Sequence, residues 1–137
     1  MTSLRVLVVD DEQELVGALV ERLQLRRIEA RGVTSAKTAL ELMERQAFDV
    51  VLLDVKMPGM GGVELAKIVK GRWPTLQVVL LTGHGSHDDA EEGLRVGAFK
   101  YLMKPVSIEE LIEVLHDAFR QERSEPGTTG PSSRGPA

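Results

Sequence analysis

Five short apolar runs recur along this chain: Leu4 to Val9, Ile28 to Val33, Val50 to Leu53, Leu76 to Leu81 and Phe99 to Met103. Three of them are near-continuous and rich in Val or Leu, with no polar alternation. A strand written this way is apolar on both faces, so both faces must be covered, as in a parallel sheet flanked by helices. The second run differs. It sets Ile28, Ala30 and Gly32 against Glu29 and Arg31, the pattern of an edge strand with one wet face.

Helical periodicity fills the gaps. Leu15, Leu19 and Leu23 recur every four residues, with Val16 and Val20 beside them. That flank is read as the margin of a wide core stripe, with a partner-facing role as the alternative. Ala36, Ala39, Leu40 and Met43 follow the i, i+3, i+4, i+7 pattern, and Val63, Ala66, Ile68 and Val69 make a shorter stripe that ends near Gly71 and Trp73-Pro74. Ile108, Leu111, Ile112, Leu115 and Phe119 form the clearest stripe. Ser86 to Val96 is the poorest: it is acidic, places Ala90 and Leu94 at helical spacing, and carries Gly93 inside. An interior glycine costs about 1 kcal/mol relative to alanine. Ser107 with Glu110, and Ser86 with Asp89, have the spacing of capping boxes. Five strands alternating with five helices specify an α/β fold with a doubly wound parallel sheet.

Composition narrows the function classes. A chain of 137 residues carries a prior of one domain. The absence of cysteine excludes disulfides, thiolate metal sites and thiol nucleophiles. The net charge of −4 shows no basic excess for direct nucleic-acid contact. No apolar run approaches the ~20 residues of a membrane span, and Met1-Thr2-Ser3-Leu4-Arg5 lacks the pattern of a signal peptide. The expectation is a cytoplasmic domain over residues 1–121. Of the last fourteen residues, eleven are Gly, Pro, Ser or Thr and none is a large apolar residue. Residues 122–137 are therefore expected to be a disordered tail or linker stub.

In open α/β sheets, ligands bind beyond the carboxyl ends of the strands. The first strand ends in Asp10-Asp11, the third in Asp54, the fourth in Thr82 and the fifth in Lys104. Three carboxylates brought to one rim repel, and at least one holds its proton unless a cation resolves the conflict. Mg²⁺ suits that donor set, since it takes oxygen ligands from one or two carboxylates, waters and phosphate oxygens. With Lys104 as a further cation, Thr82 as a hydroxyl donor and a carboxylate nucleophile, the rim holds the parts of phosphoryl transfer.

These residues lie in a series of phrases: Val8-Val9-Asp10-Asp11-Glu12, Leu53-Asp54-Val55-Lys56-Met57-Pro58-Gly59, Leu81-Thr82-Gly83-His84-Gly85, and Gly97-Ala98-Phe99-Lys100-Tyr101-Leu102-Met103-Lys104-Pro105. In this order, from about Leu4 to Phe119, the chain resembles the receiver domain of bacterial two-component response regulators. The resemblance implies a flavodoxin/CheY-like five-stranded sheet of order 2-1-3-4-5. It implies that Asp54 accepts a phosphoryl group from a sensor histidine kinase or histidine phosphotransfer protein. Asp11 and Asp54 would hold Mg²⁺, assisted by Asp10 and the backbone carbonyl of Lys56. Thr82 and Lys104 would each bind a phosphoryl oxygen, and Lys104–Pro105 would be cis. Thr82 and Tyr101 would be the switch pair. Lys56 and His84, at positions that tune rate in this family, depart from its commonest pattern. Such a protein is a phosphoacceptor that assists its own Mg²⁺-dependent phosphorylation and dephosphorylation, not an enzyme acting on a separate substrate. It signals by changed binding to a downstream protein target, and the family also offers homodimerisation through the fourth helix, fifth strand and fifth helix.

Blander readings exist for each residue alone. Asp11, with Glu14 three residues on, fits a helix cap. Met57-Pro58-Gly59 fits a turn, Lys104 a snorkelling lysine, and Tyr101 ordinary strand packing. His84, His87 and His116 share no metal-ligand spacing, and His87 and His116 read as surface residues. Among rival functions, a haloacid-dehalogenase-type phosphatase needs Asp-x-Asp after the first strand, where this chain has adjacent acids. A flavodoxin-like cofactor binder needs a phosphate loop there. A phosphorylation-independent pseudo-receiver, and the N-terminal receiver of a longer transcriptional regulator, remain as alternatives.

Overall fold

The computed structural model describes residues 4–83 and 87–124. The strands are β1 (Arg5–Val9), β2 (Glu29–Val33), β3 (Val50–Asp54), β4 (Gln77–Thr82) and β5 (Lys100–Met103). They alternate with α1 (Gln13–Leu25), α2 (Ala36–Arg45), α3 (Gly62–Arg72), α4 (His87–Arg95) and α5 (Ile108–Ser124). The sheet is parallel throughout, in the order β2-β1-β3-β4-β5. The strand with the alternating pattern is an edge, and the near-continuous apolar runs are central.

Strand pleat divides the core in two. Val6, Val8, Val50, Leu52, Val79 and Leu81 face one side and pack with Leu19 and Leu23 of α1 and Leu111 and Leu115 of α5. Leu7, Val9, Val51, Leu53, Val78 and Leu80 face the other and meet Ala39 and Met43 of α2 and Leu65, Ala66 and Val69 of α3. Burying one Val or Leu side chain fully is worth about 1.5–3 kcal/mol, so these two layers fix the strand register. Val16 is buried and Val20 packs against the same cluster, in keeping with the core reading of that flank. At the pole away from the functional rim, Asp49 accepts the Arg5 backbone N–H at 2.9 Å and a forked guanidinium bond at 3.1 and 2.9 Å.

The structure corrects several details. In α4, Gly93 rather than Leu94 faces the core: Gly93 is buried, and Leu94 is 38% exposed. A Cβ on Gly93 would lie 2.1 Å from Leu80 Cδ1, so the glycine lets the helix approach β4 closely. In α3, Leu65 is buried where Ile68 was expected, because the helix turns its Leu65-Ala66-Val69 face to the sheet. The first helix is capped by Glu12 without a side-chain bond, so Asp11 is not its cap. The Oγ of Ser107 accepts the Glu110 N–H at 3.1 Å, as its capping-box spacing predicts, whereas Ser86 lies outside the described residues. Helix α5 runs through Ser124, and residues 125–137 of the expected tail lie outside the described residues. Among the described residues, no helix is long and apolar enough to cross a membrane.

Candidate phosphoryl-transfer site

The functional rim forms where the chain order reverses. From β1 the sheet grows outward to β2 on one side and to β3, β4 and β5 on the other. This is the topological switch point at which open α/β sheets bind ligands. Asp10 leaves β1, Asp54 closes β3, Thr82 closes β4, and Lys104 follows β5. The Lys104 backbone N–H donates to the Thr82 carbonyl at 2.8 Å, and the Val55 N–H donates to the Leu81 carbonyl at 2.9 Å. These bonds extend strand pairing up to the rim and hold its side chains on a rigid edge.

Asp10 and Thr82 are fully buried, Asp54 is 5% exposed, and Asp11 is open to solvent. Each of Asp10, Asp11 and Asp54 offers an oxygen, and the three atoms lie within 4.8 Å of one another. Lys104 Nζ bridges two of these acids, 3.0 Å from Asp10 Oδ2 and 3.0 Å from Asp54 Oδ1. The second Asp10 oxygen accepts the Glu12 N–H at 3.0 Å.

The electrostatics follow from this crowding. Desolvation by burial pushes the Asp54 carboxyl up; its bond to Lys104 opposes that, and the charges of Asp10 and Asp11 add to it, so the net shift is upward. For Lys104, burial pulls the ammonium down, but the bonds to Asp54 and Asp10 and their charges outweigh it and raise its pKa. One lysine therefore balances part of an excess of negative charge. The three acids are hard oxygen donors, so the cluster fits a divalent cation such as Mg²⁺.

The remaining expected residues sort by position. Lys56 is exposed, two residues beyond Asp54. Tyr101 is half-buried on β5, packed against the cluster beneath α3. The Lys104–Pro105 bond is cis, as the resemblance implies. His84 lies outside the described residues. His87 and His116 are exposed and stand on different helices.

Two contributors escape sequence reading. Glu12 Oε1 lies 3.8 Å from Lys104 Nζ, a third anionic neighbour, and the acidic run Asp10-Asp11-Glu12 was its only signal. Gly62 opens α3 directly against the backbone of Asp54: a Cβ there would lie 2.2 Å from the Asp54 carbonyl oxygen and 2.9 Å from Val55 Cα. The pair Gly61-Gly62 was the hint, but only the packing shows which glycine seats the acid.

Comparison with known proteins agrees with this geometry. Residues 6–116 match the family model described as "Response regulator receiver domain". The chain is 40% identical over 111 residues to the response regulator protein FleR of Pseudomonas aeruginosa, covering 81% of this chain and 24% of FleR. It is 37% identical over 121 residues to the sensory transduction protein RegX3 of Mycobacterium tuberculosis, covering 88% of this chain and 52% of RegX3. The chain thus spans about a quarter to a half of these curated relatives' length. A response regulator receiver domain protein from Clostridium thermocellum superposes with a TM-score of 0.84 at 30% identity, covering 88% of this chain and 97% of that one.

Proposed function

Because this chain belongs to the response regulator receiver family, we propose that Asp54 is its phosphoryl acceptor and that phosphorylation changes its binding to a downstream protein. The observation that carries this reading is the bridging of Asp54 and Asp10 by Lys104 at 3.0 Å each, beside Asp11. The donor is the phosphohistidine of a sensor kinase or phosphotransfer protein. An Asp54 carboxylate oxygen attacks phosphorus, the P–N bond breaks, and the departing imidazole takes up a proton. Asp10, Asp11, Asp54 and the Lys56 carbonyl hold Mg²⁺, which when bound neutralises charge on the acids and the phosphoryl oxygens. The developing charge also meets Lys104, whose ammonium turns from the carboxylates to a phosphoryl oxygen, and the Thr82 hydroxyl, which donates to another.

Lys56 pairs with the phosphoryl group and slows its hydrolysis, and His84 stands at the second rate-tuning position. Thr82 and Tyr101 are the switch pair, and α4, β5 and α5 carry the changed surface. Leu94 on α4 and Met103 on β5 are exposed there, at 38% and 53%, and suit a homodimer formed on activation. The site acts in the cytoplasm and touches no nucleic acid directly. A second reading is favoured by the relatives' length: the chain is the N-terminal receiver part of a longer transcriptional regulator, since it covers 25% of the DNA-binding transcriptional regulator NtrC of Proteus hauseri.

Incubation with a radiolabelled phosphohistidine phosphotransfer protein tests the assignment. Label moves to the wild type, is released by hydroxylamine as an acyl phosphate is, and is absent from Asp54→Ala. Equal labelling of Asp54→Ala overturns it.

A further inference from the structure

We infer that His87 is a positioning residue that holds the Tyr101 ring in place and so sets how readily the ring moves when Asp54 is phosphorylated. The inference rests on the reading of Tyr101 as a switch residue and adds to it the group that opposes the switch. His87 opens α4, and its imidazole stands edge-on to the Tyr101 phenol ring, with centroids 6.2 Å apart and planes at 82°. That separation and angle fall within the favourable edge-to-face range, where the electropositive edge of one ring meets the face of the other. His87 Nε2 also lies 3.6 Å from Glu91 Oε2, one turn along the helix. The Tyr101 ring is held between this imidazole and the core cluster beneath α3.

The contact is with α4 as well as with a side chain. Helix α4 buries only Ala90 and Gly93, both small. An aromatic contact at its first residue therefore links the helix to β5 where its own core packing is thin. On the switch reading the ring turns inward behind Thr82, which would part it from the exposed His87 imidazole. The contact thus favours the unphosphorylated arrangement, and a worth typical of aromatic pairs corresponds to about two- to tenfold in the ratio of the two states.

Tyr101 is the only tyrosine in the chain, so fluorotyrosine labelling gives a single ¹⁹F signal from this ring. The full chain is titrated with beryllium fluoride, a phosphoryl analogue, at fixed Mg²⁺ and fixed pH, and the concentration for half conversion is read from that signal. His87→Ala is expected to lower it about two- to tenfold. His87→Phe keeps a ring and restores the wild-type value, and Glu91→Gln leaves it unchanged. His87 is 68% exposed, so the variants retain the core, and thermal melts check this. An unchanged midpoint in His87→Ala, or an equal fall in His87→Phe, overturns the inference. If the wild-type signal does not move at saturation while Asp54 is phosphorylated by acetyl phosphate, the switch reading of Tyr101 fails and takes this inference with it.

Discussion

Lys104 stands 3.0 Å from two buried carboxylates, with Glu12 close behind, and one ammonium cannot balance them all. The upward shift of Asp54 is the result, and it has a sign that can be read. Its folded pKa lies above its unfolded value, so the folded chain keeps the proton to higher pH. Ionised Asp54 then opposes folding at neutral pH, and that opposition is relieved as pH falls through the raised value toward the ordinary 3.8. In metal-free buffer, denaturant unfolding of wild type and Asp54→Asn should diverge, with the wild type gaining relative stability as pH falls; parallel profiles contradict this. Lys56 makes a second prediction. Lys56→Asn should shorten the phosphoryl lifetime about two- to fivefold, the worth of one exposed charge contact, measured as decay of labelled protein after donor removal. A variant that hydrolyses no faster removes Lys56 from that role.

Element by element, what the sequence reveals depends on whether burial or contact decides the outcome. The central strands were legible because coverage on both faces forces a continuous Val/Leu run, as in Val50 to Leu53. Helix α5 was legible because its stripe is wide and faces one layer. In helix α4 hydrophobicity alone points to Leu94, whereas the close approach of Gly93 to Leu80 is a tertiary fact that no local pattern carries. Gly93→Val should therefore overpack the α4–β4 contact and cost about 1–3 kcal/mol. Leu94→Ala, on the open face, should change stability by about 0.5 kcal/mol or less. Urea midpoints decide between the two, and a reversed order would place Leu94 rather than Gly93 against the sheet. At the rim, the acids, Thr82 and Lys104 were visible as strand ends. Glu12 and Gly62 were not, because only the closed fold brings them against Lys104 and Asp54.

For the molecule as a whole, the sheet delivers conflicting charges to one edge and leaves their resolution to ligands. Any cation that binds only the folded rim stabilises the fold by mass action, by about 2.7 kcal/mol at a hundredfold excess over its Kd. Mg²⁺ should raise Tm by several degrees in the wild type, and much less in Asp11→Asn or Asp54→Asn, which lose a ligand. Equal shifts in all three would place the metal elsewhere. The central claim, phosphoryl acceptance at Asp54, is tested most directly by intact mass after incubation with acetyl phosphate and Mg²⁺. The account predicts one added phosphoryl group on the wild type, none when the metal is chelated beforehand, and none on Asp54→Ala. No adduct on the wild type under conditions that preserve acyl phosphates, or an adduct that survives in Asp54→Ala, would contradict it.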